Sequence, residues 1–232
     1  MNNYEKLEGM VAATFTPLDE NGDVNLSVID KYADWIASTP IKGVFVCGTT
    51  GEFSSLAIDE RKLILEKWLV SARKRFKVIA HVGSNCQRSA MELARHAAQV
   101  GADAIASIAP SFFKPGTVDE LVDFFAPICH SAAGLPFYYY NMPSITGVNL
   151  PVDKFLVEGK KKIPNLVGTK FTHNNLMEMG VCIELEQHRF EVLHGYDEIL
   201  ISGLAMGAVA GVGSTYNYIP NVYQAIFDSM KM

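Results

Sequence analysis

The chain has 232 residues, 49% hydrophobic and 19% charged, an ordinary globular composition with enough length for one large domain and a sizeable core. Its net charge of −5 gives no electrostatic basis for binding nucleic acid or an anionic membrane. Cys47, Cys86, Cys129 and Cys182 lie more than 35 residues apart, which excludes a CxxC motif or a zinc knuckle and reads as reduced thiols of a cytoplasmic protein.

Residues 1–9 are polar and lack the apolar centre of a signal segment. No run along the chain approaches the ~18 apolar residues of a membrane span. Strand-like and helix-like patterns alternate from there on. Residues 11–17 read as a first strand, and 26–38 as an amphipathic helix with Ile29, Tyr32, Ala33 and Ile36 at helical spacing. Residues 44–47 and 59–75 make the second strand and helix, and 78–82 and 89–100 the third pair. The fourth pair is 104–109, ended by Pro110, and 118–132. A fifth strand, 137–140, precedes a short helix over 153–159, whose end carries the charge run Lys160-Lys161-Lys162, read as solvated. A sixth strand, 166–172, leads to a helix from Asn175. Strands at 190–194 and 208–213, a short helix over 198–206 and a last helix from Ile219 to Met232 complete the series. Eight β/α units without a long insertion predict a parallel sheet closed into a (β/α)8 barrel, as a single domain over residues 1–232.

Polar residues gather just after the strands, where the active site of such a barrel forms. The sixth strand is the apolar run Leu166-Val167-Gly168-Thr169-Lys170-Phe171-Thr172. A buried ammonium is expensive without a partner, desolvation lowers its pKa, and a neutral amine forms an imine with a ketone. Lys170 therefore suggests Schiff-base chemistry on a keto acid, and Thr172 shares its strand face. In Gly48-Thr49-Thr50-Gly51-Glu52, glycines flank two hydroxyls. Either Thr49 and Thr50 hold a carboxylate with nearby backbone N–H groups, or the run is a plain turn. Tyr138 and Tyr140 share one face of the fifth strand and Tyr139 takes the other. Each is either core packing or, at the strand tip, a proton relay.

Gly195-Tyr196-Asp197-Glu198 follows the seventh strand and Gly211-Val212-Gly213-Ser214-Thr215 the eighth. Gly-rich loops at those places suit a phosphate, but neither holds an Arg or Lys. His194 and Asp197, three apart, admit a metal-dependent aldolase. A third ligand of suitable spacing is not evident, so no metal or other cofactor is expected. His81 and His194 read as core or supporting histidines, and His96, His130, His173 and His188 as surface residues.

In chain order, Gly48-Thr49-Thr50-Gly51-Glu52, Tyr140-Asn141-Met142-Pro143 with Gly147, Gly168-Thr169-Lys170 and Gly213-Ser214-Thr215 resemble the N-acetylneuraminate lyase / dihydrodipicolinate synthase family. These are class I, pyruvate-handling aldolases on a (β/α)8 barrel. The likeness runs from about Gly9 to the end of the chain. Ile145 stands where dihydrodipicolinate synthases carry an arginine that grips a second carboxylate. Gly195-Tyr196-Asp197-Glu198 is similar to the sialic acid lyases, and the run from Pro136 through Tyr140 with Ser214-Thr215-Tyr216-Asn217-Tyr218 most resembles those of animals. The resemblance implies cleavage of N-acetylneuraminate to pyruvate and N-acetylmannosamine. Lys170 would form the Schiff base, and Tyr140 would shuttle the proton with Thr49 as its partner. Thr49 and Thr50 would hold the substrate carboxylate, while Thr172, Gly195, Asp197, Glu198 and Ser214 contact the hydroxyls and the tail. It also implies a homotetramer acting on small molecules. The alternatives are another pyruvate-dependent aldolase or hydratase of the family, or a catalytically impaired shortened form.

Two departures stand out. The loop Pro110-Ser111-Phe112-Phe113-Lys114-Pro115 lacks the tyrosine that many members extend into a neighbouring subunit's site. The family also continues past its eighth strand into a full helix and further helices, whereas this chain stops in or just after its last helix. The expectation is uncovered apolar surface. At about 25 cal/mol per Å², several hundred Å² is worth roughly 10 kcal/mol, comparable to a whole domain's stability, so marginal stability or association follows.

Overall fold

Strands β1 (Gly9–Ala13), β2 (Gly43–Val46), β3 (Lys77–His81), β4 (Ala104–Ile108), β5 (Phe137–Asn141), β6 (Leu166–Phe171), β7 (Glu191–His194) and β8 (Ala210–Gly213) pair in parallel in chain order. Met10 lies opposite Gly211 and Val11 opposite Val212, so β8 returns to β1 and the sheet closes into a barrel. The computed structural model describes residues 4–230. Helices α1 (Val28–Ala37), α2 (Ile58–Ala72), α3 (Gln87–Val100) and α4 (Val118–His130) follow the first four strands. After β5 come a one-turn helix α5 (Pro143–Thr146) and then α6 (Val152–Lys162). Helices α7 (Leu176–Glu184), α8 (Leu200–Ala205) and α9 (Pro220–Ser229) follow the last three strands. The (β/α)8 expectation is the observed architecture.

Strands of a closed parallel barrel are buried on both faces, so alternation sorts side chains between two cores rather than between core and solvent. Val11, Phe45, Ile79, Tyr138, Tyr140 and Val212 belong to the inner core. Tyr139 points outward between Phe125 of α4 and Phe155 of α6, with ring centroids 5.4 and 4.6 Å away. The expected division of the three tyrosines is the one observed.

Local signals explain most element ends. At the start of α4, Thr117 Oγ1 accepts from the Glu120 N–H at 3.2 Å, and the Glu120 carboxylate accepts from the Thr117 N–H at 3.3 Å, a reciprocal cap. Helix α2 stops at Ala72, short of the expected residue 75, because Arg73 and Lys74 both take left-handed backbone (φ 48° and 59°). Strand β1 stops at Ala13 rather than residue 17. The Thr14 N–H still reaches the Phe45 carbonyl at 3.2 Å, after which the chain leaves the sheet. Helix α6 continues through the lysine run, where Lys161 pairs with Glu158 at 2.5 Å, Lys162 with Asp123 at 2.6 Å, and Lys160 with Glu186. Cations suit a helix C-terminus. Helix α5 is absent from the sequence expectation, although Pro143 at its first position and Gly147 beyond its end (φ 64°) mark it. The last residues of the expected helix, 231–232, and the first residues of the polar N-terminal stretch, 1–3, lie outside the described residues.

On the α8–α9 side, Ile201, Val209 and Val222 are each more than half exposed. Among the described residues no helix is long and apolar enough to cross a membrane.

Glu191, the first residue of β7, is buried at the N-terminal floor of the barrel. Its Oε2 accepts from the Leu7 N–H at 2.9 Å and from the Tyr138 hydroxyl at 3.1 Å, and Tyr138 shares a 2.6 Å hydrogen bond with Tyr4. The segment before β1 is thereby tied across the floor. Burial pushes the Glu191 pKa up from 4.5 to about 7, opposed by the Leu7 N–H. A carboxyl raised in the folded state favours the protonated form, so its stabilisation is full below its unfolded pKa and is lost as pH rises through the folded one. The loss is about 3 kcal/mol at most. Denaturation midpoints should fall between about pH 5 and about pH 7.5, and Glu191→Gln should remove most of that slope. An unchanged slope in the variant would place the titration elsewhere.

Candidate active site

Tyr140 on β5 and Lys170 on β6 are direct register partners near the C-terminal ends of their strands. Lys170 is only 4% exposed, and its Nζ lies 4.0 Å from the Tyr140 ring centroid and 4.3 Å from that of Phe45. Among the described residues it has no hydrogen-bond or ion-pair partner. The amine therefore meets aromatic faces where a buried lysine ordinarily meets a carboxylate. The Tyr140 hydroxyl lies 3.2 Å from Thr49 Oγ1 and 3.1 Å from the Met142 sulfur. Three strand ends far apart in sequence thus bring Lys170, Tyr140 and Thr49 together, with half-buried Thr50 beside Thr49.

The other expected residues sit at the neighbouring ends of β6, β7 and β8. Thr172 is buried, and among the described residues its hydroxyl has no partner. It occupies the space over Gly195, where a Cβ would stand 1.9 Å from Thr172 Oγ1. Asp197 is buried in the 3₁₀ turn Asp197–Ile199. Its Oδ2 accepts from the Thr215 N–H at 2.7 Å and from the Thr215 hydroxyl, so one carboxylate oxygen is committed to the loop after β8. Glu198 beside it is exposed and Ser214 is half-buried.

The His194 ring packs against Gly203 of α8, with Nδ1 3.4 Å from the Met179 sulfur, while Asp197 turns to Thr215. Among the described residues no group of three or more His, Cys, Asp or Glu is placed to hold a metal ion. His96 departs from the surface expectation: it is largely covered, with Nε2 2.7 Å from Glu66.

Sequence reasoning missed the residues that brace the site. Asn217 donates through Nδ2 to the Ala13 and Ser214 carbonyls, both at 2.7 Å. Its Oδ1 accepts from the Tyr32 hydroxyl at 2.6 Å, and its carbonyl from Trp35 Nε1 at 2.9 Å. One side chain so joins the β8 loop to β1 and α1. Buried Arg61 on α2 donates to the His81 carbonyl at 2.7 Å and the Gly83 carbonyl at 2.9 Å. Its place on the same helix face as Ile64, Leu65 and Trp68 was the available signal.

Residues 6–232 match the model of the dihydrodipicolinate synthetase family. The chain belongs to that family. It is 45% identical over 218 residues to the N-acetylneuraminate lyase of Homo sapiens, covering 93% of this chain and 68% of the relative. Proteus mirabilis N-acetylneuraminate lyase superposes with a TM-score of 0.95 at 37% identity, over 98% of this chain and 77% of that one. A catalytic lysine mutant of the Ruminococcus gnavus sialic acid aldolase superposes with a TM-score of 0.93 at 29% identity, over 100% and 76%. In this member of the dihydrodipicolinate synthetase family, Ile145 on α5 is exposed, as are Phe112 and Phe113 in the loop after β4.

The close approach at Gly195 yields a direct check. Gly195→Ala should push Thr172 aside and lower unfolding stability by about 2 kcal/mol, read by chemical denaturation. A change near zero would mean that Thr172 moves freely.

Proposed function

We propose that this chain cleaves N-acetylneuraminate to pyruvate and N-acetylmannosamine through a Schiff base on Lys170. The observation that carries the reading is the buried amine of Lys170, without a counter-ion among the described residues and in register with Tyr140, whose hydroxyl lies 3.2 Å from Thr49 Oγ1. The relatives support it: they are named as N-acetylneuraminate lyases or sialic acid aldolases, and one was solved as a mutant of its catalytic lysine.

In this reading Thr49 and Thr50, with backbone amides of their loop, hold the carboxylate of the open-chain substrate. Lys170 Nζ attacks the C2 ketone as the neutral amine, and the carbinolamine takes up one proton from solvent and loses water to give a protonated imine. Tyr140 accepts the C4 hydroxyl proton as its own moves along the hydrogen bond toward Thr49 and the substrate carboxylate. The C3–C4 bond breaks, and its electron pair shifts through C3 and C2 to the imine nitrogen. C4 leaves as the aldehyde of N-acetylmannosamine, and the rest stays as an enamine. The proton returns to C3, water hydrolyses the imine, and pyruvate departs. The imine serves as an electron sink, so no bare carbanion forms. Thr172, Gly195, Asp197, Glu198 and Ser214 meet the hydroxyls and the tail, since carboxylate oxygens accept from sugar hydroxyls. Ile145 offers no guanidinium to a second carboxylate, which favours a sugar acid over a dicarboxylate-forming reaction.

The reading extends to a homotetramer in the cytoplasm. Exposed Phe112 and Phe113, with ring centroids 5.0 Å apart, supply apolar surface for a neighbour, and the free thiols of the four cysteines suit a reducing compartment.

Borohydride reduction in the presence of pyruvate should leave one reduced pyruvyl group on Lys170, located by peptide mass mapping. Lys170→Ala should abolish the label. Tyr140→Phe should keep it while cleavage slows by roughly 10²–10⁴-fold. Folded protein that traps nothing would sink the Schiff-base reading. Cleavage of another keto-deoxy sugar acid but not N-acetylneuraminate would reassign the substrate.

A further inference from the structure

We infer that His81, with Arg61 behind it, is a positioning residue that sets the loop after β2 and, through that loop, the Thr49–Tyr140 hydrogen bond. The inference rests on the roles just given to Thr49 and Tyr140.

Cys47, the first residue after β2, has φ 54°, a left-handed backbone that few residues other than glycine adopt. A specific interaction is needed to hold it there. The Cys47 carbonyl lies 2.8 Å from His81 Nδ1. The other ring nitrogen, Nε2, accepts from the Ile108 N–H at 3.3 Å. A ring nitrogen that accepts carries no proton, so the proton sits on Nδ1 and is donated to Cys47. One imidazole thereby ties together the ends of β2, β3 and β4.

The ring itself is fixed on every side. It is buried, and it meets Phe53 and Tyr140 edge-on at centroid distances of 4.5 and 5.8 Å. Gly83 leaves it room, since a Cβ there would stand 2.7 Å from His81 Nε2. From outside the barrel, the Arg61 guanidinium holds the carbonyls of His81 and Gly83. Burial, then the charge of Arg61, keeps the His81 pKa well below its usual value, with the Cys47 carbonyl opposing and Lys170 adding a smaller depression. The imidazole is therefore neutral at physiological pH and keeps one tautomer.

His81 acts at one remove from the reacting atoms. Its Nδ1–H fixes Cys47, two residues before Thr49, and its ring backs the Tyr140 phenol. Loss of the donor should let Cys47 relax to ordinary backbone and spoil the aim of the loop at the substrate carboxylate. The damage belongs in KM more than in the reactivity of the amine.

Asparagine and glutamine separate this role from a general packing role. His81→Asn places an amide N–H near the Nδ1 position, whereas His81→Gln places it near Nε2. The KM for N-acetylneuraminate should stay within about threefold for His81→Asn and rise about tenfold or more for His81→Gln. Borohydride with saturating pyruvate should still label Lys170 in both. Equal KM values for the two variants at equal melting temperature would overturn the inference. Nitrogen-15 chemical shifts of the wild-type imidazole provide a readout independent of turnover. They should report the Nδ1–H tautomer, and an Nε2–H tautomer would overturn the inference. A wild-type protein that shows the Nδ1–H tautomer but traps no pyruvate would instead place the fault with the Schiff-base reading.

Discussion

A buried amine with no carboxylate in reach among the described residues is the constraint around which the barrel is arranged. A carboxylate beside Lys170 would favour the ammonium and remove the lone pair on which imine formation depends. The faces of Phe45 and Tyr140 are compatible with either state: they attract the cation by roughly 2 kcal/mol when desolvated and pack against the neutral amine as ordinary apolar surface. The barrel does hold a buried carboxylate of its own, Glu191, but register keeps it away. Gly168 pairs with Glu191 and Lys170 with Leu193, so the two ionisable groups stand one inward-facing layer apart, about 7 Å along the strand. Each carries its own local compensation: Glu191 has the Leu7 amide and Tyr138 on the floor, and Lys170 has two rings at the mouth.

The groups nearest the reaction also differ in how they are held. Lys170 and Tyr140 lie within hydrogen-bonded strands and inherit the rigidity of the sheet. Thr49, Asp197 and Ser214 lie on loops, and the loop ends are braced from behind. His81 grips Cys47, Thr215 grips Asp197, and Asn217 links the loop after β8 to β1 and α1. Side chains on braced loops keep a geometry that loops alone do not provide.

This division explains what the sequence made legible. Lys170 stood out because a charge inside an apolar strand breaks a local pattern, and the three tyrosines were sorted correctly because alternation is also local. Eight units could be counted because the switch from period 2 to period 3.6 recurs in the chain. The braces were not legible because their partners are distant: Cys47 and His81 are 34 residues apart, and Asn217 and Ala13 are 204 apart. Glu191 likewise drew no notice in the sequence, because its partners Leu7 and Tyr138 lie 184 and 53 residues away. Strand ends shifted for a related reason. Residues 14–17 have strand-like composition, but their hydrogen bonding to β2 ends with the Thr14 N–H, a fact of sheet closure rather than of local propensity.

The uncovered apolar surface and the chemistry occupy different parts of the molecule. Ile201, Val209 and Val222 are exposed on the α8–α9 side, whereas Lys170, Tyr140, Thr49 and the loops after β7 and β8 lie at the C-terminal mouth. Closure of the barrel is complete in the four β1–β8 register pairs, Gly9–Ala210 through Ala12–Gly213, and every proposed site residue precedes Tyr216. The geometry around Lys170 is fixed by strand register and by braces that include Asn217, which joins the loop after β8 to β1 and α1 just before α9 begins.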